Sequence, residues 1–321
     1  MVHKSSGQIG LVETLLGCNQ NLNQRLDKIN QLIDWQPFEQ MLKTIYSSPV
    51  GRPSHPVLLL FKALLLQTWY SLSDYALEEA LDDRLSFRRF TDLSLSEKAP
   101  DHSVFSRFRD QLIKRDMNDR LFEELNRQMD SHGLLLKKGT LIDATVIEAA
   151  PKKPRQNKDG TSGKSRQDPD ASWTKKGSKS LFGYKAHMGI DQESELIRRI
   201  EMTPAHVHDG KMLGVILSGD EEWVFADKAY ESRENHQILC ESGVNNGILM
   251  KGTRKRALSN IEKGCNKILS KLRSPVERVF GTLKRSYRYS RARYLGLMKN
   301  RLQLTMMSIA YNLRRMEKLC A

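Results

Sequence analysis

Apolar residues recur at helical spacing through the first 130 positions of the chain. Leu11, Leu15, Leu22, Leu26, Ile29 and Ile33 form one loose series, and Trp35, Phe38, Met41, Leu42 and Ile45 continue it. Gly51-Arg52-Pro53 interrupts the pattern. Residues 56–70 are apolar nearly all round, which predicts a helix buried on most of its faces. Shorter helices are expected from Ser73-Asp74 onward, at 86–90, over 103–114 behind the turn signal Pro100-Asp101-His102, and over about 116–132. Such a series suits an ordinary helical bundle. It equally suits a helix-turn-helix module, in which case Arg107 and Arg109 are expected as exposed contacts.

At Gly139 the period changes from helical to alternating. Leu141, Asp143 and Thr145 share one face of a predicted strand, and Ile142, Ala144 and Val146 share the other. An aspartate in such a strand is disfavoured by propensity and costly to bury without a partner. Residues 151–180 are poor in apolar residues and rich in Lys, Ser, Gly and Asp, and they predict a mobile basic loop. Its one large apolar residue, Trp173, is read either as an anchor to the core or as a platform for an unpaired base. Strands follow at 183–191 and 196–203, then a helix opening at His206-Val-His208-Asp209. The two histidines have no third nitrogen or sulfur partner nearby, so zinc is not expected. Next come a short strand over 222–227 ending in Asp227, a helix over 231–241 and a fifth strand over 246–251. Asp227 reads as a helix cap or as a ligand. A loose basic stretch over 252–268, a helix bearing Glu277 and a last helix over about 299–318 complete the chain.

This order predicts an α/β fold, a mixed sheet flanked by helices behind an all-α N-terminal domain. The expected domains are 1–135 and 136–321, the second carrying the flexible insertion 151–180. With the first and fourth strands side by side, Asp143 and Asp227 approach each other, and Glu277 on a packing helix completes the group.

Charge adds a partner class. The chain of 321 residues carries a formal net charge of +14. Residues 1–150 hold 18 bases and 20 acids, 151–185 hold 10 and 3, 186–250 hold 5 and 12, and 251–321 hold 19 and 3. The excess therefore lies in the insertion and the C-terminal quarter, where bases interleave with apolar residues. Such blocks suit a polyanion. No apolar run reaches the roughly 20 residues a bilayer span needs. Cys18, Cys240, Cys265 and Cys320 lie far apart without metal-type spacing, as expected in a reducing cytosol.

Within 267–288, Glu277 stands among cations. On one continuous helix Arg273, Glu277 and Lys284 fall within about 40° of one another. Ser274-Pro275-Val276-Glu277 also matches a capping box, in which Arg273 precedes the helix. Three converging carboxylates repel unless a cation neutralises them, and an oxygen-only set favours Mg²⁺ or Mn²⁺. Two such ions can drive in-line displacement at phosphorus, with Arg273 and Lys284 holding the strand.

The runs GTLIDATVIEA (139–149), FADKAY (225–230) and RSPVERVFGTLK (273–284) resemble the DDE transposases of bacterial insertion sequences, most of all the insertion sequence 5 type. Gly51-Arg52-Pro53, Trp69 to Asp74 and Pro100-Asp101 resemble that family's helical N-terminal domain. The resemblance implies an RNase H-like core, dependence on Mg²⁺, and cleavage and joining of DNA at terminal inverted repeats. By that resemblance Asp143, Asp227 and Glu277 are the catalytic and metal-binding residues. A homodimer on double-stranded DNA is expected because two ends must be held together, in the cytoplasm at the bacterial nucleoid. The family's Tyr-x2-Arg-x3-Glu-x6-Lys signature maps onto Arg273, Glu277 and Lys284, while its tyrosine position holds Ser270. Arg273, Lys284, Arg278, Lys228, Trp173, Arg107 and Arg109 are the expected DNA contacts. A metal-dependent nuclease without strand transfer and a catalytically silent DNA-binding repressor are the alternatives.

Overall fold

The computed structural model describes residues 24–46, 54–152, 154, 165–253 and 256–320. Leu11, Leu15, Leu22, Cys18, Gly51-Arg52-Pro53 and most of the 151–164 stretch lie outside them. The chain forms two compact units: Met1–His132 with Thr305–Ala321, and Gly133–Leu304.

The first unit holds α1 (Gln24–Leu32), α2 (Gln36–Lys43), α3 (Val57–Tyr70), α4 (Asp74–Asp83), α5 (Leu85–Thr91), α6 (His102–Lys114) and α7 (Met117–Ser131). It also holds the latter part of α12 (Leu297–Leu319). Helix α3 is buried along most of its length, as its nearly unbroken apolar sequence requires. Trp35, Phe38 and Phe61 pack together, with Phe38 stacked on Phe61 at 5.6 Å between ring centroids. The one cation inside α3, Lys62, is tolerated because Asp92 accepts its hydrogen bond at 2.7 Å and Trp35 lies beneath its ammonium group. Burial still lowers the Lys62 pKa below the usual lysine range. Side-chain caps start α4 and α6: Ser73 accepts from the Ala76 N–H and Asp101 from the Ser103 N–H.

The second unit is built on a six-stranded mixed sheet: β1 (Gly139–Glu148), β2 (Ser172–Lys176), β3 (Lys179–Asp191), β4 (Ile197–Pro204), β5 (Trp223–Ala226) and β6 (Asn245–Ile248). Strands β1, β3 and β4 pair antiparallel in sequence order. Strand β5 joins the other edge of β1 in parallel, and β6 joins β5 in parallel. Five strands match the sequence expectation. The sixth, β2, corrects it: 172–176 is not loop but strand, paired with the 179–183 part of β3. One face of the sheet packs on α8 (Leu213–Ile216) and α9 (Arg233–Glu241), whose Leu213, Ile216 and Leu239 join Ile142, Val224 and Ala226 in a core.

A second correction concerns 252–268. Residues from Asn260 onward form α10 (Asn260–Arg273), and α11 (Pro275–Ser286) follows after the single residue Ser274. A capping box does exist here, but one helix earlier than expected. Ser259 accepts from the Glu262 N–H while the Glu262 carboxylate accepts from the Ser259 N–H. Ser274 makes no side-chain cap and has helical backbone angles, φ −55° and ψ −30°. Helices α10 and α11 are thus nearly continuous, interrupted where Pro275 lacks an amide hydrogen. Val276, Val279, Phe280 and Leu283 of α11 are buried, and the helix packs on β1.

The antiparallel run β4-β3-β1 extended by parallel β5 and β6, with helices on both faces, is an RNase H-like fold with an all-α N-terminal region. Among the described residues no helix is long and apolar enough to cross a membrane.

Candidate active site

Pairing between β1 and β5 fixes the centre of the site. Leu141 is registered with Phe225 and Ile142 with Ala226. One residue beyond that last pair stand Asp143, within β1, and Asp227, just past β5, near enough that Asp143 feels the Asp227 charge. Asp143 is half-buried inside β1, and Asp227 is the first residue beyond β5.

Their surroundings differ. Asp143 accepts a hydrogen bond from Arg273 Nη1 at 2.8 Å and one from the Ala144 N–H at 2.8 Å. Burial nonetheless raises its pKa above the usual carboxylate range, and the negative charge of Asp227 adds to the rise. Asp227 does not cap α9, whose cap is Ser232, accepting from the Asn235 N–H. Instead its carboxylate accepts from the Ala229 N–H at 2.7 Å, and its carbonyl oxygen accepts from the Tyr230 N–H at 3.1 Å. That turn leaves its other carboxylate oxygen for a ligand. Tyr230 is fully buried beside the pair, and its pKa is raised by burial first and then by Asp143, Asp209 and Asp227.

Glu277 lies on the exposed side of the first turn of α11. The helix packs on β1, so the third carboxylate lies in the same unit as Asp143, on an element that packs on Asp143's strand. It does not share a tight cluster. Among the described residues only Glu78, Asp101 and His102 bring three possible ligand atoms within 4.8 Å of one another, and those belong to the helical unit. Ordinary capping accounts for that group: Glu78 accepts from the His102 N–H at 2.8 Å and Asp101 accepts from the Ser103 N–H.

The expected cations differ in their surroundings. Arg273, at the end of α10, and Lys284, on α11, stand at the acidic pair. Lys284 is half-buried, and its pKa is lowered by burial, then by the charge of Lys176, against the attraction of Asp143. Lys228 is exposed beside Asp227. Arg278 is exposed, but its guanidinium is held by Glu195 at 2.5 Å. Arg107 is exposed on α6 and bonds back to Ser103.

Arg109 corrects the sequence reading. It is not exposed but 8% accessible, on the face of α6 that carries Phe105, Phe108 and Leu112. Its guanidinium forms a fork with the Asp74 carboxylate at 2.5 and 3.0 Å. It is a structural ion pair rather than a DNA contact. Trp173 is half-buried in β2 and packs on Phe182 with centroids 5.4 Å apart, as an anchor does. Ser270, at the family's tyrosine position, is exposed on α10. Lys176 on β2 is near enough to Lys284 to lower its pKa, a neighbour that sequence order does not reveal.

The donors that converge here are carboxylate oxygens, the chemistry of a hard divalent cation. A cation fits Asp143 and Asp227, because it would offset both the desolvation and the mutual repulsion that raise the Asp143 pKa.

Two family models match the chain. The family model described as Transposase DDE domain matches residues 135–313, and that described as Transposase domain (DUF772) matches residues 15–111. Among solved structures, the chain is similar to a piggyBac transposase synaptic complex with hairpin DNA, at 9% identity and a TM-score of 0.41. The match covers 93% of this chain and 76% of that one, a likeness too distant to carry residues across. With more than half of its length matched by the first of these models, the chain belongs to the family of transposases that carry the DDE domain.

Proposed function

We propose that this transposase cuts phosphodiester bonds at the terminal inverted repeats of an insertion sequence of the 5 type. It then joins the freed 3′ ends to target DNA. Family membership supports a metal-dependent enzyme that cleaves and transfers DNA. The observation that carries the finer reading is the nearness of Asp143 and Asp227 just beyond the β1–β5 register, with the Glu277 helix packed on β1.

Asp143, Asp227 and Glu277 are the proposed ligands of Mg²⁺, for which Mn²⁺ would substitute. Bound there, two such ions would activate the attacking oxygen and stabilise the leaving oxygen of an in-line displacement. The protein's own part is electrostatic and positional. Arg273 opposes the rise that burial imposes on the Asp143 pKa and fixes the carboxylate's direction. The turn at Ala229 fixes that of Asp227. Lys284 and Lys228 offer ammonium groups to the phosphates on either side of the scissile bond. The helical unit, with Arg107 on its surface, is proposed as the DNA-binding and dimerisation domain, since two element ends must be held together.

Two assays separate this from the alternatives. Given pre-cut ends and target DNA, a transposase yields joined product, whereas a plain nuclease yields none. A silent repressor binds the inverted repeats without nicking them in Mg²⁺. Joined product is the expected result.

A further inference from the structure

The β2–β3 hairpin carries cations that the reaction described above does not use. Lys176 and Lys179 oppose each other on its last rung, closed by Gly177 and Ser178. Gly177 has φ +59°, which a glycine adopts without strain. Lys175 adjoins them, and all three lysines are exposed. Like charges opposed across a pair of strands repel. Among the described residues none of the three takes part in an ion pair.

The hairpin also has a defined position. Pairing of β1 with β3 ends at Glu148 and Gly183, so the part of β3 from Lys179 runs on past β1 with β2 alone. The Ala149 N–H donates to the Phe182 carbonyl oxygen at 2.9 Å, and Trp173 packs on Phe182, which holds the hairpin's base. The segment after α11 flanks the same end of β1: the Glu148 N–H donates to the Ser290 carbonyl oxygen at 3.0 Å. Hairpin and α11 therefore border one end of the strand that bears Asp143. On α11, Lys284 is close enough to Lys176 to feel its charge, and it also feels the opposite charge of Asp143. Two neighbouring ammonium groups, one of them within reach of the Asp143 charge, suit an anion held by both.

We propose that Lys176 and Lys284 clamp one phosphate of the DNA strand being cut, the β2–β3 hairpin forming the second wall of the strand's track. The clamp rests on the reading of Asp143 and Asp227 as the catalytic pair. Lysine serves here as a compact point charge, so the contact positions the backbone and carries no base preference. The hairpin's charge pattern thereby acquires a purpose: the bound phosphate relieves the repulsion among Lys176, Lys179 and Lys284.

The test is binding of fluorescent element-end DNA by the full chain over a series of salt concentrations, without divalent metal. Lys176→Gln is expected to weaken binding about threefold to tenfold and to reduce the slope of log affinity against log salt by about 1. Lys176→Arg should restore both. Lys176→Gln combined with Lys284→Gln should lose less than the product of the single losses, because both groups serve one phosphate. Wild-type affinity and slope in Lys176→Gln, or fully multiplicative losses in the double variant, overturn the clamp. Since Lys176 is exposed, the variant should keep the wild-type unfolding midpoint. Cleavage of the same DNA by Asp143→Asn judges the catalytic reading separately: activity there overturns that reading, whereas the salt slope judges Lys176 alone.

Discussion

Asp143 is the residue at which sequence and fold meet. A carboxylate inside an otherwise apolar alternation pays a desolvation cost, and that cost was itself the signal of function. The structure gives it Arg273 and the Asp227 charge as neighbours, neither of which can be read from nearby sequence. Arg109 shows the reverse. Its spacing with Phe105, Phe108 and Leu112 put it on the buried face of α6, but an arginine is usually exposed, and its partner Asp74 is 35 residues away. Because Arg109 is buried and Asp74 half-buried, Arg109→Ala should destabilise the protein by about 2 to 3 kcal/mol, measured by urea unfolding. Arg107→Ala should leave the unfolding midpoint unchanged and weaken DNA binding instead. His187, fully buried against Thr203, supplies a pH test. Burial lowers its pKa from 6.5 to about 4. The unfolded chain therefore takes up a proton that the folded chain refuses as pH falls below 6.5. Stability from this group is constant above that value and falls by about 1.4 kcal/mol per pH unit down to about pH 4. His187→Gln should lose that part of the acid dependence in unfolding curves compared between pH 7 and 4.5.

Among elements, those with a clean period were legible and those defined by their ends were not. Helix α3 and strand β1 follow directly from apolar continuity and alternation. Strand β2 was hidden because its sequence, SWTKK, resembles the basic loop before it. The two-residue Gly177-Ser178 turn joining it to β3 was the available hairpin signal. Helix α10 was hidden because it buries none of its residues, so composition alone made it look loose. Its start depends on the reciprocal bonds of Ser259 and Glu262. Ser259→Ala should cost that helix about 1 kcal/mol, read as faster amide exchange over its first turns with little change in the sheet. Since α10 ends at Arg273, the same substitution should slow strand cleavage more than it weakens DNA binding.

At the scale of the whole molecule, charge blocks and the order of carboxylates carried the class of partner and the class of fold. The two compact units were harder to read. The last helix runs from one unit into the other, so an apolar period that continues without a break gave no hint of a boundary at Thr305. Glu277 is the other illustration. Its helix packs on β1 as the element order implied, yet its side chain is exposed and outside any tight group of ligands among the described residues. Sequence order specifies which elements neighbour each other, whereas side-chain convergence depends on rotamers and on the charge that is bound. The central claim is that Asp143 and its partners hold divalent ions at a scissile phosphodiester. Its most direct test is cleavage of DNA bearing the element ends, by wild-type protein and by Asp143→Asn, with Mg²⁺ and with EDTA. The account predicts cleavage by the wild type in Mg²⁺ alone, and none by Asp143→Asn despite undiminished DNA binding. Cleavage by Asp143→Asn at the wild-type rate, or wild-type cleavage that persists in EDTA, would contradict it.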